Sequence, residues 1–232
     1  MRVLLKVSGE ALSGEEEKWL DFVILDEVWE LIKNLVIHNI EVWIVIWAWN
    51  FIRWAEIEKI NIDRCNADNM WMLATNINSI ALSDVLTRKN LDVKVLNSFW
   101  IDWIAERFNK PKALKDLSKW KVLIFSGWTW NPYFTTDTAW VLRALEINAD
   151  LMIKATMVDW VYDRDPLKYH DAEFIKNATY DEVLAKNLKV MDMTAVSMAK
   201  ENNLTLKVVS LYKSESILRA ILWNDEWSTI SW

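Results

Sequence analysis

Phe125-Ser126-Gly127-Trp128-Thr129-Trp130-Asn131-Pro132-Tyr133-Phe134-Thr135-Thr136-Asp137 is the stretch on which the fold turns. It leaves the apolar run 122–125, breaks at Gly127 and enters a helical pattern over 135–147. Hydroxyls, an amide and a carboxylate sit at the junction. A strand that turns into a helix N-terminus presents free amide donors, a layout suited to phosphate. Glycine normally builds such a turn, because it tolerates positive φ and lets the backbone approach an anion closely. Here two indoles, Trp128 and Trp130, hold the turn positions. The whole chain shares this habit. It has 3 Gly and 17 Trp in 232 residues, against roughly 16 Gly at an average usage of about 7%.

Outward from this stretch, short β-rich runs alternate with helical patterns. Strands are predicted at 3–7, 42–46, 93–96, 122–125, 151–153 and 206–209. Leu25, Val28, Trp29, Ile32, Leu35 and Val36 share one helical face. Met70, Leu73, Ala74, Ile77, Ile80 and Ala81 predict a second amphipathic helix. Shorter helical stretches fall at 112–117, 135–147, 191–201 and 216–222. This order predicts an α/β fold, a three-layer α/β/α sandwich around a mainly parallel twisted sheet. No repeat or Pro/Gly-rich linker divides the chain, so a single domain over 1–232 is expected.

Bulk properties exclude several classes. The net charge of −6 argues against a nucleic-acid binder, which needs a basic face to neutralise phosphates. The apolar run 42–49 is too short to cross a bilayer, which takes about 20 residues, and no membrane partner is expected. The first apolar run is too short for a secretory signal. Cys65 is the single cysteine, so no internal disulfide forms and a reducing cytoplasm is the expected location. Residues 15–18, the one sharp charge run, read as a solvated loop.

Ligands of open α/β sheets bind beyond the carboxyl ends of the strands, and the polar residues collect there. Lys6, Val7, Ser8 and Gly9 close the first strand. Trp47, Ala48, Trp49, Asn50 and then Arg53 follow the second. The opening stretch follows the fourth, and Lys154, Ala155, Thr156 and Asp159 end the next. Two lysines, an arginine, hydroxyls and carboxylates at one edge suit phosphoryl transfer, which needs positioning and charge cancellation. Each residue has a plainer reading alone. Lys6 could end a strand in solvent, Arg53 could be a loop cation, and Asp137 could serve only the dipole of its helix. His38 and His170 lack the companions that a metal or triad site requires.

Taken together and in order, these motifs resemble bacterial uridylate kinases of the amino-acid-kinase superfamily from Val3 to about Ile230. The resemblance rests on Lys6 to Leu12, Asn50 to Arg53, Ala67 to Thr75, Thr129 to Asp137, Lys154 to Tyr162 and Lys189 to Asp192. It implies ATP + UMP → ADP + UDP with Mg²⁺, within pyrimidine nucleotide biosynthesis. By position, Lys6 contacts the transferring phosphoryl group and Asp137 orients it. Arg53 holds the UMP phosphate and Asp68 meets its sugar or base. Trp47, Ala48, Thr129, Trp130, Asn131, Pro132, Tyr133, Phe134, Thr135 and Thr136 line the UMP pocket. Val7, Ser8, Gly9, Trp49, Lys154, Thr156, Tyr162 and Asp165 border ATP with Lys6. The UMP side spans about 1–150 and the ATP side about 151–232. The family is typically a homohexamer, allosterically activated by GTP and inhibited by UTP; residues 14–19 fall at its effector-responsive loop.

The tryptophans fall on the family's glycine positions: Trp47, Trp49, Trp54, Trp71, Trp128, Trp130 and Trp160. An indole supplies neither positive φ at low cost nor close backbone approach. The expectation is therefore a retained fold with weak or absent turnover in this chain. A non-catalytic nucleotide-binding or assembly module, or a related amino-acid or carbamate kinase, remains an alternative. Trp43, Trp100, Trp103, Trp120, Trp140, Trp223 and Trp227 have a second reading as ordinary core aromatics.

Overall fold

A computed structural model describes residues 1–9, 11–16, 19–51, 57, 59–156, 161–164, 168–211, 214–222 and 227–232, with the backbone alone at 15, 16 and 214. Arg53, Trp54, Asp159, Trp160, Asp165 and Trp223 lie outside the described residues. Nine of the described strands form one sheet. In chain order they are β1 (Arg2–Val7), β2 (Glu41–Ile46), β3 (Val93–Asn97), β4 (Glu106–Arg107), β5 (Val122–Ser126), β6 (Leu151–Thr156), β9 (Asn177–Thr179), β10 (Leu206–Ser210) and β11 (Ser228–Ser231). β7 (Val161–Tyr162) and β8 (Phe174–Ile175) make a separate antiparallel ribbon. The sheet order is β4-β3-β5-β2-β1-β6-β10-β11-β9. Every neighbouring pair is parallel except β10–β11.

Helices cover both faces, as a parallel sheet requires. They are α1 (Phe22–Ile37), α2 (Arg64–Arg88), α3 (Lys110–Leu117), α4 (Thr136–Ile147), α5 (Tyr180–Ala185), α6 (Met193–Glu201) and α7 (Ser214–Leu222). The period-2 pleat sorts the strand side chains between two cores. Val3, Leu5, Val7, Val42, Ile44, Ile46, Ile124 and Ile153 pack with α1, α7 and the end of α2. Leu4, Trp43, Val45, Leu123, Phe125 and Met152 pack with α3, α4, α5 and α6. The expected three-layer α/β/α sandwich is thus the observed architecture.

The predicted strands and helices are all present, with three corrections. Met191 and Asp192, predicted as helix, precede α6, and Asp192 caps it. Thr135 is not helical. It caps α4, its side chain accepting from the amides of Asp137 and Thr138. The face predicted for α2 is also wrong. Leu73, Ile77 and Ile80 are exposed, whereas Trp71, Met72, Thr75, Asn76, Asn78 and Ser79 are buried. Polar groups face the sheet because they have partners there, described below, and buried polar groups survive only when so paired. The core reading of the tryptophans splits. Trp43, Trp140 and Trp227 are buried; Trp100, Trp103 and Trp120 are exposed.

Candidate functional site

β1 lies between β2 and β6, and its end delivers Lys6 into the middle of the site. Lys6 pairs in register with Val45 of β2 and Lys154 of β6. Only 2% of its side chain is exposed, and its Nζ donates to Asp137 Oδ1. Asp137 is presented by the first turn of α4, where a carboxylate complements the helix dipole. The solvent reading of Lys6 therefore fails: a buried ammonium needs a partner, and Asp137 is that partner. Burial pushes the Lys6 ammonium down to about 8, with Lys154 adding to the lowering and Asp137 opposing it. Burial alone would raise the Asp137 carboxyl. The charges of Lys6 and Lys154, with an amide hydrogen bond from Asp192, bring it below its ordinary value.

Asp192 ends the 189–192 motif, and the sequence alone assigns it no role. It caps α6, accepting from the amides of Thr194 and Ala195 at 2.9 and 3.0 Å. Its other oxygen accepts from Thr135 Oγ1 at 2.5 Å and Thr138 Oγ1 at 3.1 Å. Two helix N-termini are thereby fastened side by side next to the Lys6–Asp137 pair. Lys154 Nζ donates to the carbonyl of Val190, in the turn just before Asp192.

Trp47, Ala48 and Trp49 follow β2. The Trp47 ring lies under Lys6, 4.4 Å from Nζ to the centroid, and packs on Trp49 with centroids 4.2 Å apart. Ala48 is fully buried. Ser8 and Gly9 approach the same loop. A Cβ on Gly9 would collide with the Trp47 carbonyl, so this glycine is fixed by close contact between two strand ends. Neither Trp47 nor Trp49 has positive φ, contrary to the expectation of a glycine-type turn there.

After β5 the glycine-type backbone is present. Gly127, Trp128, Trp130 and Tyr133 have φ of 76°, 46°, 59° and 70°. A Cβ on Gly127 would strike the Asn97 amide oxygen. The turn is pinned from below by the polar face of α2. Thr75 Oγ1 accepts from the Gly127 amide at 2.9 Å. Asn76 Oδ1 accepts from Asn97 Nδ2 at 2.6 Å and Ser126 Oγ at 2.8 Å. Asn78 does the same for the β2 loop, exchanging amide hydrogen bonds with Asn50 at 2.9 Å and donating to the Trp47 carbonyl at 2.8 Å. The sequence reading passed over Asn76 and Asn78, although two Asn inside a helix near no turn were a visible signal.

Trp130 stacks on Phe99 with centroids 3.6 Å apart, and Trp128 stacks with Trp71. The Trp128 indole is buried, and its N–H has no hydrogen-bond partner. Thr129 and Asn131 close their own small turn. Pro132 and Phe134 flank Tyr133, whose amide donates to Asp68 Oδ2 at 2.7 Å. Asp68 is buried and also paired with Arg64 at 2.8 Å. Its Oδ1 is buried with no partner, and so is Thr136 Oγ1. Buried polar groups are ordinarily paired, so an orphaned acceptor and an orphaned hydroxyl are a fit for a hydroxyl-bearing ligand.

Thr156 ends β6, next to Ser210 of β10. Tyr162 lies in the β7–β8 ribbon, which is tied to the sheet where Ser228 Oγ accepts from the Val161 amide at 2.8 Å. Lys6, Asp137, Lys154, Ser8, Gly9, the 47–49 loop and the 127–131 turn thus gather along adjoining strand ends.

The chain matches the amino acid kinase family over residues 1–210. It is 44% identical to the uridylate kinase of Campylobacter concisus (strain 13826) over 226 residues, 97% of this chain and 94% of that one. It is 41% identical to the uridylate kinase of Haemophilus influenzae (strain 86-028NP), covering 99% and 97%. The crystal structure of UMP kinase from Bacillus anthracis superposes with a TM-score of 0.94 at 33% identity, covering 99% of this chain and 95% of that one. UMP kinase from Ureaplasma parvum gives 0.93 at 32%, covering 100% and 98%.

Proposed function

The chain belongs to the amino acid kinase family, and from that premise and the site geometry we propose that it is a uridylate kinase, transferring a phosphoryl group from ATP to UMP to give ADP and UDP. The observation that carries this reading is the buried Lys6–Asp137 pair at the carboxyl edge of the sheet, beside the N-terminus of α4. A UMP phosphate oxygen attacks the γ-phosphorus of ATP and the bond to ADP breaks, with no covalent enzyme intermediate. Lys6 faces the charge that spreads over the transferring group. With an ammonium value of about 8, it stays cationic near pH 7. Asp137 fixes the direction of that ammonium.

Asp68 Oδ1 and Thr136 Oγ1, both unpaired in the described structure, are assigned to UMP, Asp68 taking a sugar hydroxyl. Arg53 is assigned the UMP phosphate on the resemblance alone. Thr129 to Thr135 wall the UMP pocket. Ser8, Gly9, Lys154, Thr156, Tyr162 and Asp165 border ATP. Among the described residues no group of three or more His, Cys, Asp or Glu could hold a metal ion. Mg²⁺ would enter with the nucleotide phosphates, the usual manner for this cation, with Asp137 as the carboxylate beside it. When bound, Mg²⁺ neutralises phosphate charge.

One domain over 1–232, with a UMP side to about 150 and an ATP side beyond, is proposed with this function. A homohexamer responding to GTP and UTP is proposed on the same footing. The exposed stripe Leu73, Ile77 and Ile80 on α2 supports association with another copy. A cytoplasmic role in pyrimidine nucleotide synthesis accords with a chain in which no described helix is long and apolar enough to cross a membrane.

The indole of Trp47 favours reduced activity, because it packs against the Lys6 ammonium that a phosphate must reach. The same contact is the observation behind the second reading, a non-catalytic assembly module. An ADP-release assay with ATP, Mg²⁺ and UMP separates the readings when Lys6→Ala is run beside the parent. Slow UMP-dependent release that the substitution abolishes supports the kinase, and identical traces defeat it.

A further inference from the structure

Among the described non-glycine residues, twelve have positive φ: six Asn, five Trp and one Tyr. Asn reaches this region routinely, because its short amide bonds locally. Trp has no such excuse, and no Leu, Ile, Val, Phe or Met shares the region with it. The five are Trp19, Trp103, Trp120, Trp128 and Trp130.

The helix ends make the point within one molecule. A left-handed residue after a helix is held by two crossed hydrogen bonds, from its own amide three residues back and from the next amide five residues back. Asn39, Asn90, Asn148, Asn187 and Asn203 each do this: Asn90 N bonds Thr87 O and Leu91 N bonds Leu86 O, and the other four repeat it. Trp120 is the sixth example. Its amide bonds Leu117 O at 2.8 Å and Lys121 N bonds Asp116 O at 3.2 Å. Glycine is the first choice at this position and Asn the second. Trp103 holds the third position of the 101–104 turn, closed by Ile104 N to Ile101 O at 3.2 Å, where positive φ calls for Gly or Asn. Three of the indoles have aromatic neighbours, Trp19 at Phe51, Trp128 at Trp71 and Trp130 at Phe99, but a ring contact does not relieve a positive φ, and glycine lacks the Cβ that makes it costly. Trp103 is wholly exposed and Trp19 and Trp120 are exposed, while buried Trp128 leaves its N–H unpaired.

We infer that the polypeptide made in its native cell carries glycine at positions 19, 103, 120, 128 and 130, one codon written as tryptophan being charged there with glycine. Composition points the same way. Adding these five to the three glycines of the sequence still leaves the chain at about half the average usage of about 7%. The inference covers these five positions; Trp47 and Trp49, which lack positive φ, are not among them. One consequence rests on the kinase reading: with glycine at 128 and 130, the indole bulk leaves the 127–131 turn, whose 127, 130 and 131 amides are already bonded within the protein, and the amides at 128 and 129 are the ones open to an anion.

The test is peptide mass spectrometry of the full chain purified from its native cells, with the intact mass measured beside it. Glycine is expected at all five positions, the mass falling at each by the difference between an indolylmethyl group and a hydrogen. Tryptophan at any of the five overturns the inference. A recombinant pair, one chain with Trp and one with Gly at the exposed positions 103 and 120, adds a readout independent of activity. The glycine chain should melt higher; an equal or lower melting temperature counts against the inference. Native chain with glycine at all five, but no UMP-dependent ADP release, would leave this inference standing and remove the kinase reading.

Discussion

Replacing Trp103 with glycine should stabilise the protein, and the size of the effect follows from three quantities. Its φ of 68° is unfavourable for any residue with a Cβ, by about 1–2 kcal/mol. The side chain is wholly exposed, so removing it sacrifices no buried apolar area. Glycine widens the unfolded ensemble and returns about 0.4–1 kcal/mol of that relief. The net gain is about 1 kcal/mol, or about 2–4 °C in Tm for a chain of this size. Trp103→Ala is the control, because alanine keeps the Cβ and the strain. It should lie within about 0.5 kcal/mol of the parent, as an exposed substitution ordinarily does. Thermal unfolding by circular dichroism, run on both variants, reads the difference. If alanine matches or exceeds glycine, backbone strain at these tryptophans is not what the dihedrals imply.

Asp137→Asn should cost about 3–5 kcal/mol in urea unfolding, because it strands the buried Lys6 ammonium. The pH dependence has a definite sign. Lys6 titrates at about 8 when folded, against an ordinary 10.5, so the unfolded chain binds more protons between those values. The destabilisation from Lys6 is complete below about pH 8 and is relieved as pH rises toward 10.5. Asp137, held low, contributes stability above the ordinary carboxylate range that is lost as pH falls through its lowered value. Asn76→Ala removes the acceptor shared by Asn97 and Ser126. The Asn97 amide donor then lacks that partner, while Ser126 Oγ keeps a longer bond to the Leu96 carbonyl at 3.4 Å, and unfolding should become easier by about 1–3 kcal/mol. Asp68→Ala, in a chain with measurable turnover, should raise KM for UMP while leaving KM for ATP unchanged; equal shifts in both would remove Asp68 from the UMP site.

Most of the frame was legible because its signals are local. The alternating apolar positions of β1, β2, β5 and β6 sort into two cores as the pleat demands, and the α1 stripe is buried almost as its spacing predicts. The strands beyond β10 were not legible: β11, between β10 and the edge strand β9, is Ser-Thr-Ile-Ser, with no apolar run to mark it. Nor was α5, although Thr179 and Glu182 form a capping box, a signature the sequence displays. The face of α2 was misread because period alone assumes that apolar residues point inward. There the sheet ends supply carbonyls, amides and hydroxyls, and Asn76 and Asn78 bury themselves against them. In the candidate site, the meeting of Lys6 with Asp137 follows from strand order plus the resemblance. The fastening of α4 to α6 by Asp192 depends on a contact across 54 and 57 residues of chain, which no local pattern announces.

The most direct test of the central claim is steady-state ADP release with ATP, Mg²⁺ and UMP by the chain in which Trp47, Trp49, Trp128 and Trp130 are all changed to glycine. The account predicts UMP-dependent turnover in the range of about 1–10³ s⁻¹, lost again on adding Lys6→Ala, with the tryptophan-bearing parent far slower. Parent turnover already in that range, or activity in the glycine chain that survives the loss of Lys6, would contradict it.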